Sequence, residues 1–190
     1  KKDILTNLGV SKHYDDSIEE HSDGLEASYE VIQPLDDLKD SDHVGKVVIY
    51  DKSGRVLVLQ RSDEGHLWDL PGGHIKHIEV ERGEEGLEDG TDREVFEETG
   101  LLLPFLKHFM TYDFTHRGIV HKIHMYLSSI DEVTPDVRLD LQDFVENIDF
   151  RWLPLETLEQ YMGRTTTNLR KAYDHLSIQD EIFEQNEPFQ

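Results

Sequence analysis

The sequence predicts an α+β sandwich, in which strands lie on both sides of one strongly helical segment. Two runs of β-branched and aliphatic residues, at 46–50 and 55–59, flank an Asp-Lys-Ser-Gly turn signal, which is typical of a β-hairpin. A helical pattern follows over about residues 84–99, and further apolar runs of strand length come after it. Hairpin, loop, helix, further strands and a C-terminal helix is an order that fits this fold class.

The remaining elements follow from the same patterns. Residues 74–80 alternate weakly, so we expect residues 74–84 to form a strand that extends into a hairpin or long loop. Gly86 and Gly90 weaken the first turns of the predicted helix. The later segments are predicted as strands at 105–115, 119–129 and 148–153 and as helices at 155–162 and 166–176.

The two ends of the chain differ in composition from its middle. Hydrophobic residues make up 36% of the 190 residues and charged residues 32%, so we expect one domain with an appended arm. We assign residues 1–43 to an acidic N-terminal arm, 44–176 to the domain and 177–190 to an acidic C-terminal tail. The arm is either a partner-binding or dimer-forming segment or a solvating extension.

Charge and composition exclude several classes of protein. The formal net charge of −22 argues against general binding to nucleic-acid backbone, which needs clustered Lys and Arg. No apolar run approaches the roughly 18 residues that a membrane span needs. The chain has no cysteine, which excludes disulfides and thiolate chemistry and is compatible with the reducing cytoplasm that we predict as its location.

The segment with the strongest chemical signal is residues 93–101. On a helix, Glu94, Glu97 and Glu98 stand at i, i+3 and i+4, so all three carboxylates project from one face. Arg93 is an i, i+4 neighbour of Glu97 and can pair with it, while Gly100 suits the left-handed residue that ends a helix. Hard cations such as Mg²⁺ or Mn²⁺ prefer oxygen ligands and tolerate such a cluster.

This segment resembles the second half of the Nudix box, G-x5-E-x7-R-E-U-x-E-E-x-G-U, where U is a bulky aliphatic residue. The first half departs from the pattern, because Gly73 of the Leu-Pro-Gly-Gly doublet lies about six residues too far from Arg93. One alignment takes Glu85 as the first glutamate, and another keeps Gly73 to Glu79. We favour Glu85, because it follows a Gly-Glu pair of the kind that opens the Nudix helix. The matching residues of the second half are Arg93, Glu94, Val95, Glu97, Glu98, Gly100 and Leu101.

The resemblance implies a mixed sheet between helices and a metal-dependent hydrolase that cleaves the diphosphate linkage of a nucleoside diphosphate derivative. Expected substrates are nucleotide sugars such as ADP-ribose, dinucleotides or nucleoside triphosphates, and a homodimer is a further expectation. The alternative is a non-catalytic module that binds a nucleotide. The expected cofactor is Mg²⁺ or Mn²⁺.

Each site residue has an expected role. By resemblance, Glu94, Glu97 and Glu98 bind the metal, and the catalytic set is Arg93, Glu97, Glu98 and Glu146, the last of which precedes a late strand. We assign Glu85 to orienting Arg93, because the two are eight residues apart and point in similar directions on a helix. We expect substrate contacts from Arg61, Gly72 and Gly73.

Overall fold

The structure is a computed structural model that describes residues 39–63, 65–139 and 146–185. Most of the predicted acidic arm lies outside the described residues, so its role stays a prediction. None of the described helices is long and apolar enough to cross a membrane. The strands are β1 (Asp40–Tyr50), β2 (Val56–Arg61), β3 (Trp68–Asp69), β4 (His74–Lys76), β5 (Lys107–His116), β6 (Ile119–Ser129) and β7 (Asn147–Leu153), and the helices are α1 (His77–Glu81), α2 (Glu84–Thr99), α3 (Leu155–Tyr161) and α4 (Thr167–Gln185).

The strands form one mixed sheet. Five of its seven strands lie in the order β3, β2, β1, β6, β5, while β4 pairs with β1 and β7 with β2. β1 and β6 are parallel over eight residue pairs, whereas β2 is antiparallel to both β3 and β7. The predicted hairpin is present at its turn, where β1 and β2 are antiparallel and Tyr50 pairs with Val56. Beyond the turn β2 diverges from β1.

Helices cover both faces of this sheet. Alternate residues of β1 and β2 point to opposite faces, and both sets are buried, which explains why the two strands appear in the sequence as unbroken apolar runs. One face packs against α3 and α4, and the other packs against α2. The first face contains Val44, Val48, Val56 and Val58 with Leu158 and Leu169; the second contains Val47, Ile49, Leu57 and Leu59 with Val95 and Leu101.

Most predicted elements are confirmed, and two are corrected. The helix predicted at 84–99 is α2 with the same bounds, and the strands predicted around the turn at 116–118 are β5 and β6. The strand predicted to begin at residue 74 ends at Lys76, and α1 follows at once, so the predicted hairpin or extended loop over residues 74–84 is wrong. The helix predicted to end at residue 176 continues to Gln185.

Candidate active site

A tight turn at residues 70–73 faces the C-terminal half of α2. Gly72 has a φ of 114°, a region that side chains rarely allow, and its N–H donates to Glu98 Oε2 at 2.6 Å. A Cβ placed on Gly73 would overlap Oε2 of Glu94. The turn therefore brings bare backbone against two of the three glutamates predicted to bind metal.

Glu98 is the most enclosed of these glutamates, with 6% of its surface exposed. Its Oε1 accepts a hydrogen bond from Asn147 Nδ2 at 3.0 Å. Burial raises the pKa of Glu98, although Lys46, the Gly72 N–H and the Asn147 amide act to lower it. Asn147 was missed by the sequence analysis, which singled out the charged residue before it. An uncharged amide at a strand start carries no comparable signal.

Arg93 joins the other two glutamates. Its Nη1 donates to Glu94 Oε1 at 2.5 Å and to Glu97 Oε2 at 3.2 Å, which confirms the predicted i, i+4 pair. The Glu94 side chain is 16% exposed, whereas that of Glu97 is 48% exposed. Burial raises the pKa of Glu94 to about 7; hydrogen bonding to Arg93 opposes this shift, and the nearby charges of Glu97 and Glu98 reinforce it. On this face of α2, the carboxylate of Glu97 is therefore the exposed one, and those of Glu94 and Glu98 are enclosed.

The main carboxylate partner of Arg93 is Glu79. Arg93 Nε donates to Glu79 Oε1 at 2.8 Å and Nη2 donates to Oε2 at 3.0 Å, a bidentate geometry. Glu85, in contrast, has a side chain that is 83% exposed and lies 3.8 Å from Arg82. The prediction that Glu85 orients Arg93 is therefore wrong, and the rival spacing from Gly73 to Glu79 is the one that the structure uses.

Two glycines in the first half of α2 explain how Glu79 reaches Arg93. A Cβ on Gly86 would overlap the carbonyl oxygen of Glu79, and a Cβ on Gly90 would lie 2.5 Å from Glu79 Oε2 and 2.8 Å from Ile75 Cγ2. Their missing side chains let α1 lie directly against α2. The glycines that weaken the isolated helix are thus required by this packing, and glycines at i and i+4 were the available signal for it.

A cavity of about 830 Å³ opens beside Glu98. Arg61 is part of its wall, with Nη2 2.8 Å from Asp63 Oδ2 and Nη1 4.0 Å from Asp69 Oδ2. Glu146 is exposed and also lines the cavity, whereas the hydrogen bond to Glu98 comes from its neighbour Asn147. The sequence-predicted residues that the structure brings to this cavity are Arg61, Gly72, Gly73, Glu98 and Glu146.

The start of α4 also lines the cavity. Thr166 Oγ1 donates to Asp69 Oδ1 at 2.5 Å, and Asn168 Nδ2 donates to the same oxygen at 3.2 Å. Tyr112 Oη in turn donates to Asn168 Oδ1 at 2.5 Å. Asp69 and Thr166 are 97 residues apart in the chain, so nothing in the local sequence could indicate that they share a site.

The three glutamates have the chemistry of a hard-cation site. Carboxylate oxygens suit divalent cations, and burial raises the pKa values of both Glu94 and Glu98, so added positive charge would favour their ionised forms. Within the part of the chain that the structure describes, no group of three His, Asp or Glu side chains is arranged to hold a metal ion. It is the donor chemistry of Glu94, Glu97 and Glu98, not their present arrangement, that fits a divalent cation.

The glycine turn, the glutamate face of α2 and the Arg93–Glu79 pair agree with the box seen in the sequence. Residues 42–176 match the family described as NUDIX domain. The chain belongs to this family. The prediction of family and fold from the second half of the box is confirmed, although the first half of the box is interrupted. Members of the NUDIX family generally use divalent cations, which agrees with the donor chemistry of α2.

Similar proteins and structures agree with this assignment. A MutT-like protein of Streptomyces ambofaciens is 38% identical over 73 residues, which is 38% of this chain and 43% of that protein, so the match spans less than half of the relative. The crystal structure of the MutT protein from Methanosarcina mazei Go1 is 25% identical, covers 73% of this chain and 94% of its own, and has a TM-score of 0.56. The NUDIX domain of Shewanella oneidensis NrtR, solved with ADP ribose, is 21% identical over 86% of this chain and 100% of its own, with a TM-score of 0.53.

Proposed function

We propose that this NUDIX protein is a metal-dependent hydrolase that cleaves the diphosphate linkage of a small nucleoside diphosphate derivative. The observation that carries the proposal is the position of Glu98, held by the Gly72 N–H and the Asn147 amide beside a cavity of nucleotide size. A buried carboxylate so close to Glu94 is unfavourable without added positive charge. A cation carried with a diphosphate would supply that charge.

The glutamates of α2 would hold Mg²⁺ or Mn²⁺. When bound, such an ion would stabilise charge on the phosphoryl oxygens and activate water. The residues of the chain supply the geometry: Glu79 holds Arg93, and Arg93 holds Glu94 and Glu97 on the face that they share. This ordering supports Arg93 as a residue that positions metal ligands.

Other residues would act on the substrate itself. The Gly72–Gly73 backbone and Arg61 line the cavity, and we propose that they contact the phosphates. Glu146 is an exposed carboxylate at the same cavity, and we propose it as the group that accepts a proton from the attacking water. The structure of NrtR with ADP ribose favours nucleotide sugars as the first substrates to test, followed by dinucleotides and nucleoside triphosphates. A cytoplasmic location and a homodimer stay predictions.

The test is hydrolysis of a nucleotide panel with phosphate detection, with and without Mg²⁺ or Mn²⁺. Glu97→Gln and Glu98→Gln should each lower the rate by roughly 10²- to 10⁴-fold, because each removes a charge next to the reacting phosphate. Glu88→Gln on the exposed side of the same helix is the matched control and should leave the rate unchanged.

Two outcomes would contradict the proposal. Full activity in Glu98→Gln would remove Glu98 from the chemistry. Tight binding of a nucleotide by the wild-type protein, with no turnover of any panel member at any metal concentration, would instead favour the non-catalytic binding module.

A further inference from the structure

Every carbonyl of the turn at residues 70–73 is bound by three consecutive residues of β1. The backbone N–H groups of Gly45 and Val47 donate to Gly73 O and Pro71 O, each at 3.0 Å. Between them, the side chain of Lys46 reaches the other two carbonyls: its Nζ donates to Leu70 O at 3.0 Å and also to Gly72 O. With all four carbonyls directed at β1, the Gly72 N–H is left to donate to Glu98.

The ammonium group of Lys46 uses two of its three donors on the turn. It donates to Leu70 O and Gly72 O, and it forms an ion pair with the carboxylate of Asp69, 3.5 Å away. Lys46 is 6% exposed and Asp69 is 3% exposed. A buried ion pair of this kind contributes little net stability compared with apolar residues of similar size. Its value must therefore lie in what it orients.

The pair also joins two parts of the cavity lining. Asp69 accepts hydrogen bonds from Thr166 and Asn168 at the start of α4, and Lys46 connects Asp69 to the turn that contacts Glu98. Lys46 lies on the cavity lining, and no hydrogen bond joins it to the glutamates among the described residues. It acts on Glu98 in two ways: through the turn that it holds at Gly72, and through its positive charge, which lowers the pKa of Glu98.

We propose that Lys46 is a positioning residue of the active site: it fixes the turn at residues 70–73 so that the Gly72 N–H holds Glu98 in its working orientation. The hydrogen bonds of Lys46 go to the turn and not to Glu94 or Glu97. The catalytic consequence rests on the proposed function, whereas the orientation of Gly72 does not. The two parts can therefore be tested separately.

The first measurement is hydrogen exchange at the Gly72 amide, followed by NMR, which needs no turnover. The variants are Lys46→Met, which keeps the length but removes the charge, and Lys46→Gln, which keeps donors without charge. Lys52→Met is the matched control, because the side chain of Lys52 is 59% exposed and forms an ion pair with Asp131 at the surface. Gly72 should exchange at least about tenfold faster in Lys46→Met than in the control, because its hydrogen bond is no longer held in place.

The second measurement separates kcat from KM. A small displacement of a reacting group can lower a rate roughly 10²-fold, so kcat should fall about 10- to 100-fold in Lys46→Met while KM changes by less than about threefold. In a Glu98→Gln background the same substitution should produce no further loss, because its effect acts through Glu98. A purely structural role would instead lower the melting temperature and leave this cycle additive.

These results separate the two proposals. If the wild-type protein hydrolyses nothing, the proposed function fails and the exchange of Gly72 alone decides the role of Lys46. A folded Lys46→Met protein whose Gly72 exchange and kcat match the control overturns the inference. So does failure of both Lys46 variants to fold, which would make Lys46 a residue of the core.

Discussion

The two halves of the interrupted box are built differently. Its rear half, residues 93–101, lies in α2 and the residues that end it, so its side chains are positioned by helical spacing. Its front half, residues 73–79, runs from the glycine turn through β4 into α1 and reaches Arg93 through tertiary contacts. The rear half therefore keeps its geometry wherever the helix forms, and the front half depends on how α1 packs.

The difference shows that an insertion in a motif is tolerated when it lies between the two parts that must meet. The residues between Glu79 and Arg93 comprise the end of α1, a short turn and the first half of α2, and both the glycine turn and the glutamate face lie outside them. What must survive is the contact between Glu79 and Arg93, and the glycines at 86 and 90 protect it by allowing close approach. Three substitution experiments test this comparison.

The largest effect is expected for Glu79→Gln. It removes the charged acceptor of a bidentate, mostly buried pair, so the free energy of unfolding should fall by about 1.5–3 kcal/mol. Glu85→Gln, at the exposed position that the sequence favoured, should change it by less than about 0.5 kcal/mol. Urea unfolding of both variants measures this; equal effects would mean that Glu79 has no special role.

A smaller effect, of unusual sign, is expected for Gly86→Ala. In an isolated helix alanine is more favourable than glycine by about 1 kcal/mol, yet here its Cβ would overlap backbone of α1. We expect a net loss of about 1–2 kcal/mol from overpacking, visible as a lower melting temperature. Gly163→Ala is the control, because a Cβ there meets nothing within 4 Å. A stabilised Gly86→Ala protein would show that α1 does not pack tightly on α2.

The third effect concerns pH, and the two halves should respond in opposite directions in metal-free protein. For Glu79, burial acts to raise the pKa, but hydrogen bonds from Arg93 and the Lys76 N–H lower it below 4.5. The stability that Glu79 contributes is therefore present above about pH 4.5 and is lost as the pH falls through the lowered pKa. For Glu94, burial raises the pKa from 4.5 to about 7. Its contribution is present below 4.5 and is lost as the pH rises towards 7.

Unfolding in EDTA across this range tests both signs. Relative to wild type, the Glu94→Gln protein should become steadily more stable as the pH rises from about 5 to about 8, because it lacks the penalty of ionising Glu94. The deficit of Glu79→Gln should shrink as the pH falls below about 4.5 and through the lowered pKa of Glu79. Parallel curves for wild type and Glu94→Gln would mean that Glu94 titrates normally.

The success of sequence reasoning followed the distance over which each contact acts. The bounds of α2, the Arg93–Glu97 pair and the shared face of the glutamates depend on residues within four positions of each other, and all could be predicted. The partner of Arg93 was left between Glu79 and Glu85, because 14 residues and a change of element separate Arg93 from Glu79. The sequence favoured Glu85 because residues eight positions apart point in similar directions on one straight helix. That reasoning does not apply here, since Glu79 belongs to a separate helix, α1, that packs against α2.

From residues alone, the family, the main elements and the metal-binding candidates could be derived, because helical spacing and a local motif carry that information. Tertiary structure decided the packing of α1 on α2 and the hydrogen bond from Asn147 to Glu98. It also decided the ion pair of Lys46 with Asp69, which connects β1 through β3 to the start of α4. Each of these depends on close approach between segments that are distant in sequence. Close approach is set by the shapes of the packed elements, which no local pattern of charge or hydropathy records.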